Sequence, residues 1–260
     1  MYVSSTSFQN NFGHYLKLCE KENVIVTKNG KKRAVLLVYP RDYDGYELGE
    51  PIPDYGTSPR KQRRGQVTYR EFLELTENSD QRYELIDGVV YVMASPGYTH
   101  QRILGRLYIS FNSFFENDGA PADCAPFLAP FDIDLFRRPI KEERELTEDD
   151  TNVVQPDLVV LCDYIKDIDE KDHYKGTPVL AVEIVSPSSR SKDKIKKLDL
   201  YMESGIGEFW VVDPEQQIVS VYRFEEYDIK QERLYRSGET AESVLFPGLS
   251  VEVSRVLEER

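Results

Sequence analysis

Two carboxylates stand where a carboxylate is expensive. In VVQPDLVVLCD, Asp157 opens an otherwise apolar strand, and in LAVEIV, Glu183 lies inside one. A buried carboxylate needs a cation, hydrogen-bond donors or a metal ion. Two of them on adjacent strands repel each other, and a divalent cation is one way to relieve that. With no histidine or thiolate beside them in sequence, such oxygen ligands point to Mg2+ or Mn2+ rather than zinc. Downstream, Arg190, Lys194, Lys197 and Tyr201 follow one another at intervals of four, three and four, so they share one helix face. Ile195, Leu198 and Met202 form the adjoining apolar stripe. A lysine at the edge of that stripe is suited to position an attacking water or to oppose charge building on a phosphate. The same residues also fit a purely structural arrangement, with Asp157 capping a turn, Glu183 paired with Lys197 and the other helix cations solvated. The pattern alone leaves the two readings level.

Composition narrows the setting. The chain has 260 residues, 40% hydrophobic and 30% charged, the balance of an ordinary globular protein with one large or two unequal domains. No apolar run is long enough to cross a bilayer, and MYVSSTSFQNNFGHY lacks the layout of a signal peptide, so a cytoplasmic protein without a membrane partner is expected. Cys19, Cys124 and Cys162 are widely spaced, which excludes neither a pairing nor a thiol role but argues against a zinc site or a disulfide framework. They read as small buried residues in a reducing compartment. The net charge of −13 is uneven: residues 1–64 carry 11 Lys and Arg against 7 Asp and Glu, out of totals of 33 and 46. The remainder therefore carries 22 against 39, and it would need a local basic face or a metal ion to meet nucleic acid.

The elements that must position these groups are legible in outline. Val24–Thr27 and Ala34–Val38 flank Asn29-Gly30, a hairpin signal, after a helical pattern of Phe8, Phe12, Leu16 and Cys19. So small a unit is expected to dimerise. Residues 47–66 are rich in Pro and Gly, end in a basic cluster and read as a linker between domains at 1–46 and 67–260. Thr68 and Glu71 form a capping box for a helix to about Glu77. RYELIDGVVYVM predicts a second hairpin, and a long helix follows with Ile103, Leu104, Leu107, Tyr108, Phe111, Phe114 and Phe115 on one face. Strands are expected near Phe127–Phe136, Val153–Asp163, Val179–Val185, Glu208–Asp213 and Ile218–Phe224, with a charged helix over Ser189–Ser204 and one more hairpin near the end. The fold class is mixed α/β, an α+β mixed sheet.

YELIDGVVYVMASPGYTHQRIL, QPDLVVL, AVEIVSPSSRSKDKIKKLDLY and EFWVVDP, in this order, resemble the Uma-type restriction endonuclease family of the PD-(D/E)XK superfamily, from about Val67 onward. The resemblance implies a restriction-endonuclease-like core that cuts DNA with Mg2+ or Mn2+, held by Asp157, Glu183 and the backbone carbonyl of Ile184. Val185 stands in the usual lysine slot, and the family's matching lysine is Lys197 on the helix, with Lys194 the next candidate. Glu84 matches an acidic position that completes the site in the family, and it reads equally as a strand-end carboxylate paired with Arg82 or Lys197. His100 matches the family's HQ pair but, as a lone histidine at a helix end, reads as a cap or packing residue. Asp132 and Asp134 alternate with apolar residues, as a second metal site or, more simply, as solvent-facing strand positions. His173 reads as surface. Arg190, Lys192, Lys194 and Lys196, with the basic linker, are the candidate DNA-facing side. Replacing Lys197 is expected to stop cleavage with little loss of fold.

VSSTSFQNNFGHYLKLCEKENVIVTKNGKKRAVLLVYPRDYDGY resembles the Phd/YefM antitoxin N-terminal domain, whose members form dimers that bind operator DNA and partner a toxin. The family commonly has an arginine where this chain has Gln9, so homodimerisation carries over more firmly than operator binding. Lys28, Lys31, Lys32 and Arg33 keep the unit basic. The expected protein is a DNA endonuclease joined to an antitoxin-like module, with a cognate toxin an open question. Its rival is a DNA-binding autoregulator whose nuclease-like domain is a scaffold. A site for a small phosphorylated molecule ranks last, for want of a phosphate-cradling glycine loop.

Overall fold

The computed structural model describes three strands within residues 2–36, and residues 66–258 apart from 78, 118–119, 139–144 and 186–195. The chain divides into two compact units, Met1–Gly56 and Thr57–Arg260. In the first, β2 (Val24–Lys28) and β3 (Lys31–Leu36) pair antiparallel as the Asn-Gly signal predicts, and β1 (Tyr2–Ser4), which has no clear sequence signal, pairs parallel to β2. The helical pattern of Phe8–Cys19, Gln9 and the linker lie outside the described residues.

The second unit opens with α1 (Tyr69–Thr76), where Thr68 and Glu71 form the reciprocal capping box. β4 (Arg82–Ile86) and β5 (Val89–Met93) form a hairpin whose turn residues, Asp87 and Gly88, have φ of 51° and 75°. That is the left-handed geometry a two-residue hairpin turn requires. The long helix α2 (Tyr98–Phe115) follows, burying Ile103, Leu104, Leu107 and Phe111.

Two stretches that read as single strands are each divided. Pro130, which has no N–H for a ladder, lies between β6 (Cys124–Leu128) and β7 (Ile133–Phe136). Pro156 likewise separates β8 (Thr151–Val154) from β9 (Leu158–Cys162). The divided halves enter different sheets. β5, β4, β8 and β7 make a four-stranded sheet in that order. The other sheet runs β13 (Asp228–Arg236), β12 (Ile218–Glu225), β11 (Glu208–Asp213), β10 (Leu180–Ile184), β9, β6. Only its β10–β11 pair is parallel. α3 (Lys197–Glu203) precedes β11, and a last hairpin, β14 (Thr240–Glu242) with β15 (Ser250–Glu252), leads into α4 (Val253–Leu257).

The central strands β9, β10 and β11 of the six-stranded sheet are buried on both faces, which explains their nearly continuous apolar runs. Leu158, Val160, Leu180, Val182, Trp210 and Val212 pack with α2 and α4 on one side. Their alternates Val159, Leu161, Ala181, Val185, Phe209 and Val211 pack on the other with Leu200 and Tyr201 of α3 and with Ile86, Ile133, Leu135 and Val154 of the smaller sheet.

Cys124 and Cys162 face each other in the β6–β9 register and are joined as a disulfide, which corrects the expectation of reduced, unpaired cysteines. Their wide spacing hid the pairing, because the register rather than the sequence distance brings them together. The bridge closes a loop with a sequence separation of 38. Loop-closure entropy for that length makes it worth about 3–4 kcal/mol. Reduction is therefore expected to lower the thermal midpoint by several degrees, measured by circular dichroism with and without a phosphine reductant, whereas a Cys162→Ser chain should not respond.

Candidate active site

The β9–β10 register pairs Val159 with Ala181 and Leu158 with Val182. One step further along, Asp157 comes opposite Glu183. Strand alternation puts Glu183 on the face shared with Ala181, Val185 and α3. The backbone N–H of Ile184 donates to Asp157 Oδ2 at 2.8 Å. His100, in the first turn of α2, brings Nε2 to 3.1 Å from the same oxygen.

Lys197 opens α3 with no solvent exposure. Its Nζ lies 2.6 Å from Glu183 Oε1 and 2.7 Å from Glu84 Oε1. One helical turn on, the Tyr201 hydroxyl donates to the same Glu183 oxygen at 2.7 Å. Burial, then the neighbouring Glu183 carboxylate, raise the Tyr201 phenol well above its usual range, so it remains a donor. Glu84, fully buried in the middle of β4, also accepts from the backbone N–H of Gln155 at 3.0 Å. The four-residue spacing of Lys197 and Tyr201 thus delivers two donors to one carboxylate oxygen, and the Lys197 ammonium also reaches Glu84 of the smaller sheet.

The structure brings Asp157, Glu183, Ile184, Lys197 and Glu84 together. It also places His100 at Asp157, although a lone histidine at a helix end reads as a cap; the signal was present only as HQ beside a helix start. Arg190, Lys192 and Lys194 lie outside the described residues. Lys196 is half-buried, donating to Tyr91 Oη at 2.6 Å with its ammonium 5.1 Å from the ring centroid. Asp134 is buried rather than solvent-facing, and the Tyr69 hydroxyl donates to its Oδ2 at 2.8 Å. Asp132 accepts from Gln155 Nε2 at 2.7 Å and has His173 Nε2 at 3.4 Å, so His173 is a partner of this acidic pair rather than bare surface.

Burial raises the Asp134 carboxyl, against the lowering effect of Tyr69, His173 and Lys175. A carboxyl raised on folding contributes stability below its unfolded pKa and loses it as pH rises through the folded value. Tyr69→Phe removes the donor that favours the ionised form. It is expected to cost about 1.5–3 kcal/mol at pH 8, where the bond is to a charged group, and less at pH 5, as urea titrations at the two pH values would measure.

Among the described residues, no group of three or more His, Cys, Asp or Glu side chains is placed to hold a metal ion. What the chain presents is two carboxylates and a backbone carbonyl. That set suits a hard cation that keeps part of its water shell, as Mg2+ does. Asp157 supports the fit: both its donors engage Oδ2, Oδ1 accepts none among the described residues, and the side chain is partly exposed. Asp157 also stands next to Glu183, which shares the Lys197 ammonium with Glu84, and a divalent cation would offset the repulsion between two neighbouring carboxylates.

The two-sheet arrangement is that of a nuclease-like fold. Among solved structures, the chain is similar to "a putative nuclease belonging to DUF820 from Anabaena variabilis", with 20% identity and a TM-score of 0.55 over 74% of this chain and 97% of that one, a likeness of fold. A family model described as "Putative restriction endonuclease", Uma2, matches residues 69–254, and the chain belongs to that family. Residues 1–47 match a second model, "Antitoxin Phd_YefM, type II toxin-antitoxin system". No curated protein matches the chain.

Proposed function

We propose that the chain is a Mg2+- or Mn2+-dependent endonuclease that hydrolyses phosphodiester bonds of DNA. The observation that carries this reading is the buried bridge Glu84–Lys197–Glu183 with Asp157 beside it in register. Asp157, Glu183 and the Ile184 carbonyl would hold the cation. When bound, that ion supplies Lewis-acid polarisation of a phosphate and a more acidic water. Tyr201 and Lys197 fix Glu183 through one oxygen, and the Ile184 N–H with His100 fixes Asp157 through one oxygen. Both carboxylates are thereby oriented before substrate arrives, which lowers the reorganisation that the reaction requires. Lys197 would supply positive charge next to the reacting phosphate.

The N-terminal module would supply a homodimer and a second DNA contact, in a cytoplasmic protein, with a toxin as a further partner. Described helices include none long and apolar enough to cross a membrane. The test is incubation of purified full chain with supercoiled plasmid and with single-stranded DNA in Mg2+, Mn2+ or EDTA. Cutting that needs the metal is the expected result. A folded wild-type chain that cuts neither substrate in any metal, yet retains DNA on a column, would replace this reading with the DNA-binding autoregulator or antitoxin-type protein.

A further inference from the structure

A cleft of about 400 Å³ lies between α1 and the start of β4, and Gln155 belongs both to its lining and to the acid–lysine site. Phe72 and Tyr83 give it an apolar wall. The facing wall is a run of side chains that satisfy one another. Arg82 Nε donates to Gln155 Oε1 at 2.7 Å, and Gln155 Nε2 donates to Asp132 Oδ1 at 2.7 Å. Asp132 Oδ2 then lies 3.4 Å from His173 Nε2. This relay uses both Gln155 amide atoms and both Asp132 oxygens, and it orients the Arg82 guanidinium by one edge. The groups left over are donors: the Arg82 Nη atoms and the exposed Lys171 ammonium, also in the lining, have no acceptor among the described residues. Glu77, exposed at the C-terminal cap of α1, supplies the opposing charge in the lining.

An apolar wall facing a few fixed polar groups is the common form of a small-ligand site, and an arginine fork beside a lysine suits a phosphate. We propose that this cleft is a nucleotide subsite, in which Arg82 and Lys171 take a backbone phosphate and the Phe72–Tyr83 wall takes the adjoining sugar and base. Choosing a nucleotide over other anions rests on the nuclease reading above. Gln155 makes the connection: its side chain builds the cleft, and its N–H holds Glu84. A nucleotide seated there would lie beside the bond-breaking site.

Isothermal titration of the full chain with the 5′-phosphorylated dinucleotide pTpT, in EDTA, tests the subsite apart from cleavage. The expected result is binding at least about tenfold tighter than thymidine or inorganic phosphate alone, because the cleft would use phosphate and base together. Lys171→Glu is exposed and should melt like wild type, yet weaken pTpT about tenfold. Asp157→Asn should bind pTpT as wild type does. A wild-type chain that takes inorganic phosphate as tightly as pTpT, or a Lys171→Glu chain of unchanged affinity, would overturn the subsite. A chain that binds pTpT through Lys171 but never cuts DNA keeps the subsite and loses the nuclease. One that cuts DNA and ignores pTpT does the reverse.

Discussion

Asp157→Asn is expected to leave the chain folded and to reduce metal-dependent cleavage by at least about 10²–10³-fold. The substitution keeps shape and keeps one oxygen to accept from the Ile184 N–H, which holds Asp157 Oδ2 at 2.8 Å. It removes a formal charge from a partly exposed side chain, so little fold energy is at stake. What it takes away is an anionic oxygen for a hard cation. Two measurements separate these effects. The midpoint without metal should match wild type within a degree or two, while the rise in midpoint produced by Mn2+ in wild type should shrink. A variant that cuts as wild type does would remove Asp157 from the ligand set.

Lys197→Met should do the opposite and act mainly on the fold. The ammonium has no solvent exposure and holds two buried carboxylates from two sheets. Deleting the cation while keeping the chain's bulk leaves Glu84 and Glu183 without it, and breaking such a buried arrangement costs about 3–5 kcal/mol. This reverses the expectation that a Lys197 substitution is gentle, which treated the residue as lying at the edge of an apolar stripe. Urea titration measures the loss. Adding Glu84→Gln should recover part of it, because one unneutralised charge is then gone, and that non-additivity identifies the bridge. A single variant with the wild-type midpoint would contradict the arrangement.

Much of the site was legible because the chain spends carboxylates where apolar residues belong. Asp157 and Glu183 stand out against their strands, and the spacing of Lys197 and Tyr201 identifies a shared helix face. The capping box at Thr68 and the Asp87-Gly88 turn were readable for the same reason, since local chemistry decides them. Other features depend on what the chain meets after folding. The β12–β13 hairpin turns at Glu226 and Tyr227, with φ of 51° and 62°, and neither residue announces a left-handed turn. Pro130 and Pro156 lie inside stretches that look like single strands but feed two sheets. Asp134 alternates with apolar neighbours as a solvent-facing residue would, yet α1 covers it and Tyr69 hydrogen-bonds it. The role of His100 became visible only when α2 was docked, and the Cys124–Cys162 bridge only when β6 and β9 were in register.

Glu84 comes from the four-stranded sheet, Glu183 from the six-stranded sheet, and the side chain that joins them is also one the fold needs. Under the proposed function the site would therefore be a clasp as well as a reaction centre. Parting the sheets would separate Glu84 from Glu183, so a partly opened molecule would lack the assembled bridge. If the chain cuts DNA as proposed, that chemistry would be available only to the fully closed chain, and a nascent or damaged copy would be kept from it. By the same coupling, a Lys197 that served as a catalyst could not be retired from that task without first being replaced as a fastener.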